Sequence, residues 1–151
     1  MKLTRTWLLV DDAENDLLLL ETAFPKAGIE CQLRKALNGE EAIAYLNGSP
    51  RFRDRRENPI PDVVLLDLNM PKKNGFDVLK WVQKRTEMKH VPFVVLTASL
   101  RSEDVDSAFQ LGAHSFLVKP ASLQELVSML RCLNEWLQLN HFPPRNQWVK
   151  R

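Results

Sequence analysis

Three carboxylates, one hydroxyl group and one ammonium group directly follow or end apolar segments of this sequence: Asp11 and Asp12, Asp67, Thr97, and Lys119. If these segments are parallel strands of one sheet, the groups meet at its carboxyl edge, where open α/β sheets bind ligands. Clustered carboxylates repel each other and favour a cation, and oxygen ligands in a small open site suit Mg²⁺. Lys119 can hold a phosphate oxygen, and Thr97 adds a hydroxyl donor. The sequence therefore predicts phosphoryl transfer, with an aspartyl phosphate as product.

Alternating strands and helices would place these groups at one edge. The hydrophobic periodicity predicts strands at 7–10, 31–36, 62–66, 92–97 and 114–118, and later helices at 40–46, 76–85, 102–111 and 122–139. Asp12 is predicted to cap the first helix, which carries the acids Glu14 and Asp16 in its first turn and ends before Gly28. This alternation indicates an α/β fold, a doubly wound five-stranded parallel sheet of the flavodoxin-like order 2-1-3-4-5. Strands one and three are then neighbours, which brings Asp67 next to the acid pair.

Length and composition indicate a single globular domain. The 151 residues are 44% hydrophobic and 26% charged, and the formal net charge of +2 is too small to indicate a nucleic-acid partner. We expect one domain over residues 1–139, an extended loop at about 48–61, and a C-terminal tail at 140–151. Cys31 and Cys132 have no metal-ligand spacing and are expected to be buried free thiols, which favours the cytoplasm. No apolar run is long enough for a signal peptide or a membrane span.

The motifs resemble the receiver domain of two-component response regulators over about residues 6 to 138. The resemblance is carried by Asp11-Asp12, Asp67 within Val-Leu-Leu-Asp-Leu-Asn-Met-Pro, Gly75, Thr97-Ala98 and Lys119-Pro120. The single-domain form, the long loop before the third strand and the run Leu-Asn-Met-Pro-Lys-Lys-Asn-Gly are similar to the regulators that pair with phytochrome-type kinases.

The resemblance implies a phosphoacceptor and a set of metal ligands. Asp67 would accept the phosphoryl group and would also bind Mg²⁺. Asp12 would be a direct ligand of the ion, Asp11 a ligand through water, and the main-chain carbonyl of Asn69 a further ligand.

The resemblance also implies a phosphate-binding switch. Lys119 would contact the phosphate, and its peptide bond to Pro120 would be cis. Thr97, which precedes Ala98 in the matching motif, would turn its hydroxyl toward the phosphate on activation. Phe116, the aromatic residue of strand five, would rotate inward with it, although a residue of this type in a buried strand is equally explained as part of the core.

The function implied is that of a stand-alone signalling switch rather than an enzyme. A histidine kinase or a histidine phosphotransfer protein would donate the phosphoryl group, and the modified surface would contact an unidentified protein target. The protein would at most promote its own phosphorylation and slow dephosphorylation. Asn69 and Ser99, two residues beyond the phosphoacceptor and the threonine, would modulate the lifetime of the phosphoryl group. No direct nucleic-acid or membrane contact is expected, and both a monomer and a homodimer remain open.

Two basic segments contain aromatic residues, a pattern that also occurs in nucleic-acid-binding proteins. They are Arg51, Phe52, Arg53, Arg55 and Arg56 in the loop, and Arg145, Trp148, Lys150 and Arg151 in the tail. Asp54 and Glu57 interrupt the first segment, which favours a solvated loop or a protein contact. The tail is either a disordered end or a segment that packs on the last helix or extends a dimer contact. The three histidines have no metal-ligand spacing.

Two other classes of function are alternatives. A phosphatase of the haloacid-dehalogenase type also forms an aspartyl phosphate, but it needs a second acid two residues after its nucleophile, and Asn69 occupies that position. A cap domain is also missing. An inert interaction module with the same fold would not need the acids or Lys119, and the intact set argues against it.

Overall fold

The computed structural model describes residues 4–143, in which strands and helices alternate. The strands are β1 Arg5–Val10, β2 Cys31–Ala36, β3 Val63–Leu66, β4 Phe93–Thr97 and β5 Ser115–Val118. The helices are α1 Glu14–Lys26, α2 Gly39–Asn47, α3 Gly75–Gln83, α4 Ser102–Gln110 and α5 Leu123–Leu139. All strand pairs are parallel, and the order in the sheet is β2-β1-β3-β4-β5. This confirms the predicted fold class and strand order.

The sheet separates two apolar layers because successive strand residues point to opposite faces. In β1, Leu8 and Val10 pack into the layer that contains buried residues of α2 and α3. Trp7 and Leu9 pack into the layer formed with α1 and α5. Both faces of the central strands are covered, which explains why β1, β3 and β4 have almost continuous apolar sequences. The carboxyl ends of these rigid strands carry the predicted site residues.

The beginning of α1 differs from the prediction. The residue at the N-cap is Ala13, and no side chain caps this helix end. Asp12 is therefore not the cap, and Asp11 Oδ1 instead accepts a hydrogen bond from Ala13 N at 2.9 Å. The carboxylate of Asp12 lies with those of Asp11 and Asp67 in an acidic cluster.

The beginning of α3 carries a helix cap that the sequence pattern did not predict. Asn74 and Asp77 form reciprocal side-chain to backbone hydrogen bonds, which constitute a capping box. This box starts the helix at Gly75, one residue earlier than predicted. The loop that follows β3 is thereby held at its far end.

The long loop at residues 48–61 is more ordered than the predicted exposed loop. It contains a short 3₁₀ turn at Pro50–Phe52, and the side chains of Phe52 and Ile60 are buried in the core. Arg55 is half-buried and donates hydrogen bonds to the carbonyls of Tyr45 and Leu46, in the last turn of α2. Two apolar anchors and one half-buried guanidinium therefore attach this loop to the domain.

Within residues 4–143, no helix is both long enough and apolar enough to cross a membrane.

Candidate functional site

The pairing of β1 with β3 brings three carboxylates together. Val10 lies opposite Leu66 in the parallel register, so the residues that follow the two strands are adjacent. Asp67 N donates to the carbonyl of Val10 at 2.9 Å and extends this pairing beyond the strands. Asp11, Asp12 and Asp67 each present a carboxylate oxygen within 4.8 Å of the others. Asp11 and Asp67 are only 3% and 6% exposed, so their charges are shielded from bulk water.

Lys119 enters this cluster from the end of β5. Its backbone N donates to Thr97 O at 2.8 Å, which fixes the start of its side chain at the same sheet edge. The ammonium nitrogen lies 2.8 Å from Asp11 Oδ2 and 3.3 Å from Asp67 Oδ2. A third carboxylate oxygen, Asp16 Oδ2, lies at 2.7 Å. The structure therefore places Asp16, which sequence reasoning treated only as a first-turn acid of α1, in direct contact with the site.

The protonation of two site residues is set by burial and by their pairing. Burial raises the pKa of Asp11 above its ordinary value, and the hydrogen bonds from Lys119 and Ala13 only partly offset this effect. Burial alone would lower the pKa of Lys119, but its hydrogen bonds to Asp11 and Asp16 and the nearby charge of Asp67 raise it overall. Lys119 is consequently a permanent cation among carboxylates at neutral pH.

The loop after Asp67 is held by close backbone contacts. Leu68 N donates to Asp67 Oδ1 at 2.8 Å, and Gly75 N donates to Leu68 O at 3.0 Å. A Cβ atom at Gly75 would collide with the carbonyl oxygen of Asp67. Lys72 and Lys73 both have positive φ angles, 47° and 69°. The strained conformation is retained because their carbonyls accept hydrogen bonds from the first two backbone N–H groups of α2.

The predicted switch residues occupy different environments. Thr97 is fully buried, and its Oγ1 has no hydrogen-bond partner among the described residues. Phe116 is partly buried and packs against the layer that contains α2 and α3. Ala98 is exposed at the end of β4. An unpartnered buried hydroxyl at the carboxyl edge of the sheet is a donor available to a ligand.

The two residues predicted to affect phosphoryl lifetime lie beside the site on separate loops. Asn69 is exposed directly after the segment that carries Asp67. Ser99 is partly buried, and its Oγ donates to Asp104 Oδ2 at 2.6 Å.

The predicted cis bond between Lys119 and Pro120 is wrong for this structure, because the described residues contain no cis peptide bond. The trans form is the intrinsically preferred isomer before proline, by about 0.5–1 kcal/mol. With the trans bond, the Lys119 ammonium group reaches all three of its carboxylate neighbours.

The donor set suits a divalent cation. Three carboxylates supply only hard oxygen ligands, and two of them are buried, where unneutralised negative charge is costly. The raised pKa of Asp11 is the effect expected when a buried carboxylate lacks sufficient positive charge around it. Asp11, Asp12 and Asp67 therefore fit a divalent metal ion.

The arginine-rich loop does not form a comparable site. Arg55 is directed to backbone carbonyls, Arg56 pairs with Asp54, and Arg51 lies over the Phe52 ring with its guanidinium carbon 4.9 Å from the centroid. Three of the four loop arginines, Arg51, Arg55 and Arg56, thus each have a partner within the domain. The tail residues Arg145, Trp148, Lys150 and Arg151 lie outside the described residues.

Cys31 and Cys132 are both free thiols, as predicted. They are not fully buried, however, since Cys31 is partly exposed and Cys132 is exposed. Burial raises the pKa of Cys31 to about 11, so its thiol is protonated and unreactive at neutral pH.

Comparisons with known proteins agree with this geometry. The chain matches the response regulator receiver domain over residues 7–131. It is 31% identical to the response regulator Rcp1 of Synechocystis over 137 residues, which cover 90% of this chain and 91% of Rcp1.

Two solved structures are similar in both fold and sequence. The phosphorylated cyanobacterial phytochrome response regulator RcpA has a TM-score of 0.85 and 29% identity, and covers 94% of this chain and 100% of its own. The Mn²⁺-bound form of Rcp1 has a TM-score of 0.80 and 30% identity, over 93% of this chain and 99% of its own. The family match, the strand order and the acidic cluster give one conclusion: the chain belongs to the response regulator receiver domain family.

Proposed function

We propose that this protein is a phosphorylation-controlled signalling switch whose phosphoacceptor is Asp67. The observation that carries the proposal is the position of Lys119, whose ammonium nitrogen lies 3.3 Å from Asp67 Oδ2 and 2.8 Å from Asp11 Oδ2. A buried carboxylate beside a permanent cation and two further acids provides a nucleophile, a metal site and a phosphate-binding charge in one place.

Mg²⁺ is the proposed ion, held by Asp12, Asp67 and the main-chain carbonyl of Asn69, with Asp11 binding through water. When bound, the ion neutralises negative charge on the transferring phosphoryl group. Mn²⁺ binding by the related Rcp1 supports a divalent cation here.

The chain's own residues perform the transfer. A carboxylate oxygen of Asp67 forms a bond to phosphorus as the bond between phosphorus and the donor atom breaks, and the leaving group keeps that electron pair. Lys119 donates a hydrogen bond to a phosphoryl oxygen and balances part of its charge. Thr97 then uses its unpartnered hydroxyl as a second donor, and Phe116 follows it inward. The segment of Thr97 and Ala98 thereby carries the change to the surface.

Signalling through this switch requires a donor and a target. We assign the donor role to a histidine kinase or a histidine phosphotransfer protein, and the likeness to the phytochrome response regulator RcpA favours a phytochrome-type kinase. The output is a phosphorylation-dependent contact with a protein target, with no direct nucleic-acid or membrane contact, in the cytoplasm. Residues 1–139 form the receiver unit and 140–151 a tail, and the oligomeric state is either monomer or homodimer. Asn69 and Ser99 modulate the lifetime of the phosphoryl group.

Intact-protein mass spectrometry after incubation with acetyl phosphate and Mg²⁺ tests this function. Wild type should gain one phosphoryl group, and no adduct should form when a chelator removes Mg²⁺ before acetyl phosphate is added. Asp67→Asn should gain none, whereas Asp106→Asn, an exposed aspartate of α4, should react like wild type. An adduct of equal yield in Asp67→Asn would contradict the assignment. Hydrolysis of a small phosphoester well above one equivalent would instead favour a phosphatase.

A further inference from the structure

The ammonium group of Lys119 has three hydrogen atoms and three carboxylate neighbours. Its nitrogen lies 2.7 Å from Asp16 Oδ2, 2.8 Å from Asp11 Oδ2 and 3.3 Å from Asp67 Oδ2. A lysine ammonium offers three donors and no acceptor, and Lys119 donates hydrogen bonds to Asp16 and Asp67 and forms a close ion pair with Asp11. A phosphoryl oxygen on Asp67 therefore competes with these three contacts for the ammonium group.

Asp16 differs from the other two neighbours in position and exposure. Its side chain is 37% exposed, compared with 4% for Asp11 and 8% for Asp67. The cluster of carboxylates that can share a metal ion contains Asp11, Asp12 and Asp67, but not Asp16. A cation held by that cluster would compete with Lys119 for Asp11 and Asp67, and the contact with Asp16 would then be the remaining restraint on Lys119.

We propose that Asp16 restrains Lys119 in the unphosphorylated protein and thereby opposes phosphoryl transfer to Asp67. This inference rests on the proposed function, because it assigns Asp16 a part in the reaction at Asp67. Phosphorylation adds negative charge beside Lys119, and Asp16 holds the shortest of the three contacts with which the phosphoryl oxygen must compete. Asp16 is a positioning residue, since it acts through Lys119.

Glu14 allows this role to be separated from a helix-dipole effect. Acids in the first turn of a helix are stabilised by the positive end of the dipole, and both Glu14 and Asp16 lie in the first turn of α1. Glu14 is exposed, and among residues 4–143 the carboxylates within 4.0 Å of the Lys119 ammonium do not include it. Asp16→Asn and Glu14→Gln therefore remove the same charge from the same turn, but only Asp16→Asn removes an anionic partner of Lys119.

The experiment compares the full-length wild type, Asp16→Asn and Glu14→Gln in three measurements. Fluorine NMR gives the affinity for beryllofluoride, a phosphoryl mimic, in saturating Mg²⁺. Calorimetry gives the Mg²⁺ affinity without any phosphoryl group, and mass spectrometry gives the rate of phosphorylation by acetyl phosphate. In that reaction the bond from phosphorus to Asp67 forms, the bond from phosphorus to the acetyl oxygen breaks, and acetate leaves with the electron pair.

Asp16→Asn should raise both the beryllofluoride affinity and the phosphorylation rate roughly threefold relative to Glu14→Gln, the scale of a partly exposed charged contact. Its Mg²⁺ affinity should decrease slightly, because one negative charge has been removed. A merely structural role would lower both affinities together, and that result would overturn the proposal. Equal behaviour of the two variants would also overturn it, while leaving the assignment of Asp67 intact as long as wild type is phosphorylated and Asp67→Asn is not.

Discussion

The acidic edge of the sheet and the arginine-rich loop are both clusters of charged residues in the sequence, but their side chains have opposite arrangements in the fold. At the sheet edge, three carboxylates from two strand ends converge to within 4.8 Å, and a lysine from a third strand end joins them. In the loop, Arg55 is directed to backbone carbonyls and Arg56 to a neighbouring aspartate. Like charges that the fold brings together without enough opposite charge indicate a binding site. Charged side chains that each pair with a group of the same domain indicate a structural role.

The largest expected effect is that of Gly75→Ala at the acidic edge. The new Cβ atom would collide with the carbonyl oxygen of Asp67 and with the backbone of Leu68, so the backbone has to shift. We expect a loss of roughly 2–3 kcal/mol in the free energy of unfolding, the upper part of the usual range for overpacking, because the new atom meets backbone. Urea denaturation measures the stability, and calorimetry should show weaker Mg²⁺ binding because the shifted backbone belongs to Asp67.

Gly48→Ala is the matching change at the start of the loop. Gly48 has a positive φ of 68°, and its added Cβ would meet a side-chain atom, Arg55 Nη2, at 3.1 Å rather than backbone. The left-handed conformation costs a non-glycine residue about 1–2 kcal/mol, and Mg²⁺ affinity should be unchanged. If both alanine variants lost Mg²⁺ affinity equally, the distinction between the two regions would fail.

Arg55→Ala tests the structural role assigned to the loop. The half-buried guanidinium donates to carbonyls in the last turn of α2, and its removal takes the donor from Leu46 O, whereas Tyr45 O keeps its hydrogen bond from Gly48 N. We expect urea denaturation to show a loss of about 1–2 kcal/mol in the free energy of unfolding, with phosphorylation by acetyl phosphate unchanged.

Arg56→Ala is the control for this change. The Arg56 side chain is 92% exposed and pairs with Asp54, so its removal should leave the unfolding transition unchanged within error. Equal destabilisation by the two alanine variants would contradict the structural assignment of Arg55. If the wild type bound nucleic acid with a salt-dependent affinity and both variants bound it more weakly, the loop would be a nucleic-acid-binding surface instead.

The convergence of the acids could be predicted from sequence because it depends on rules that act on whole elements. Continuous apolar runs at 63–66 and 93–97 indicate strands covered on both faces, and right-handed crossovers then restrict their order. Once β1 and β3 are neighbours, Asp11 and Asp67 must lie at the same edge. No detail of side-chain geometry is needed for that step.

The contact between Asp16 and Lys119 could not be predicted in the same way. The two residues are 103 positions apart, and their meeting depends on the rotation of α1 about its axis relative to the end of β5. Residue type was uninformative, since an acid in a first helical turn is explained by the dipole alone. The contacts of Arg55 could not be predicted for a similar reason, because its partners are backbone carbonyls and every residue type has one.

His114 extends the comparison to a titratable group that lies outside both regions. Its Nδ1 accepts a hydrogen bond from Phe93 N at 3.1 Å, and burial lowers the pKa of His114 below its ordinary value of 6.5. Lys89 is the one charged residue besides His114 among the described residues that line the same cavity of about 250 Å³, and no acid lines it. The folded protein therefore binds this proton more weakly than the unfolded chain does.

The smallest expected effect is the pH dependence that follows from this difference. The stability contributed by neutral His114 is fully present above about pH 6.5 and is lost as the pH falls below that value toward the lowered folded pKa. His114→Asn keeps an acceptor for Phe93 N but does not titrate. Between pH 7.5 and 5.5, urea denaturation should show that wild type loses up to about 1 kcal/mol more unfolding free energy than the variant. An equal or smaller loss in wild type would contradict the prediction. It would mean that other groups in the fold stabilise the protonated imidazole, so that burial alone does not keep His114 neutral.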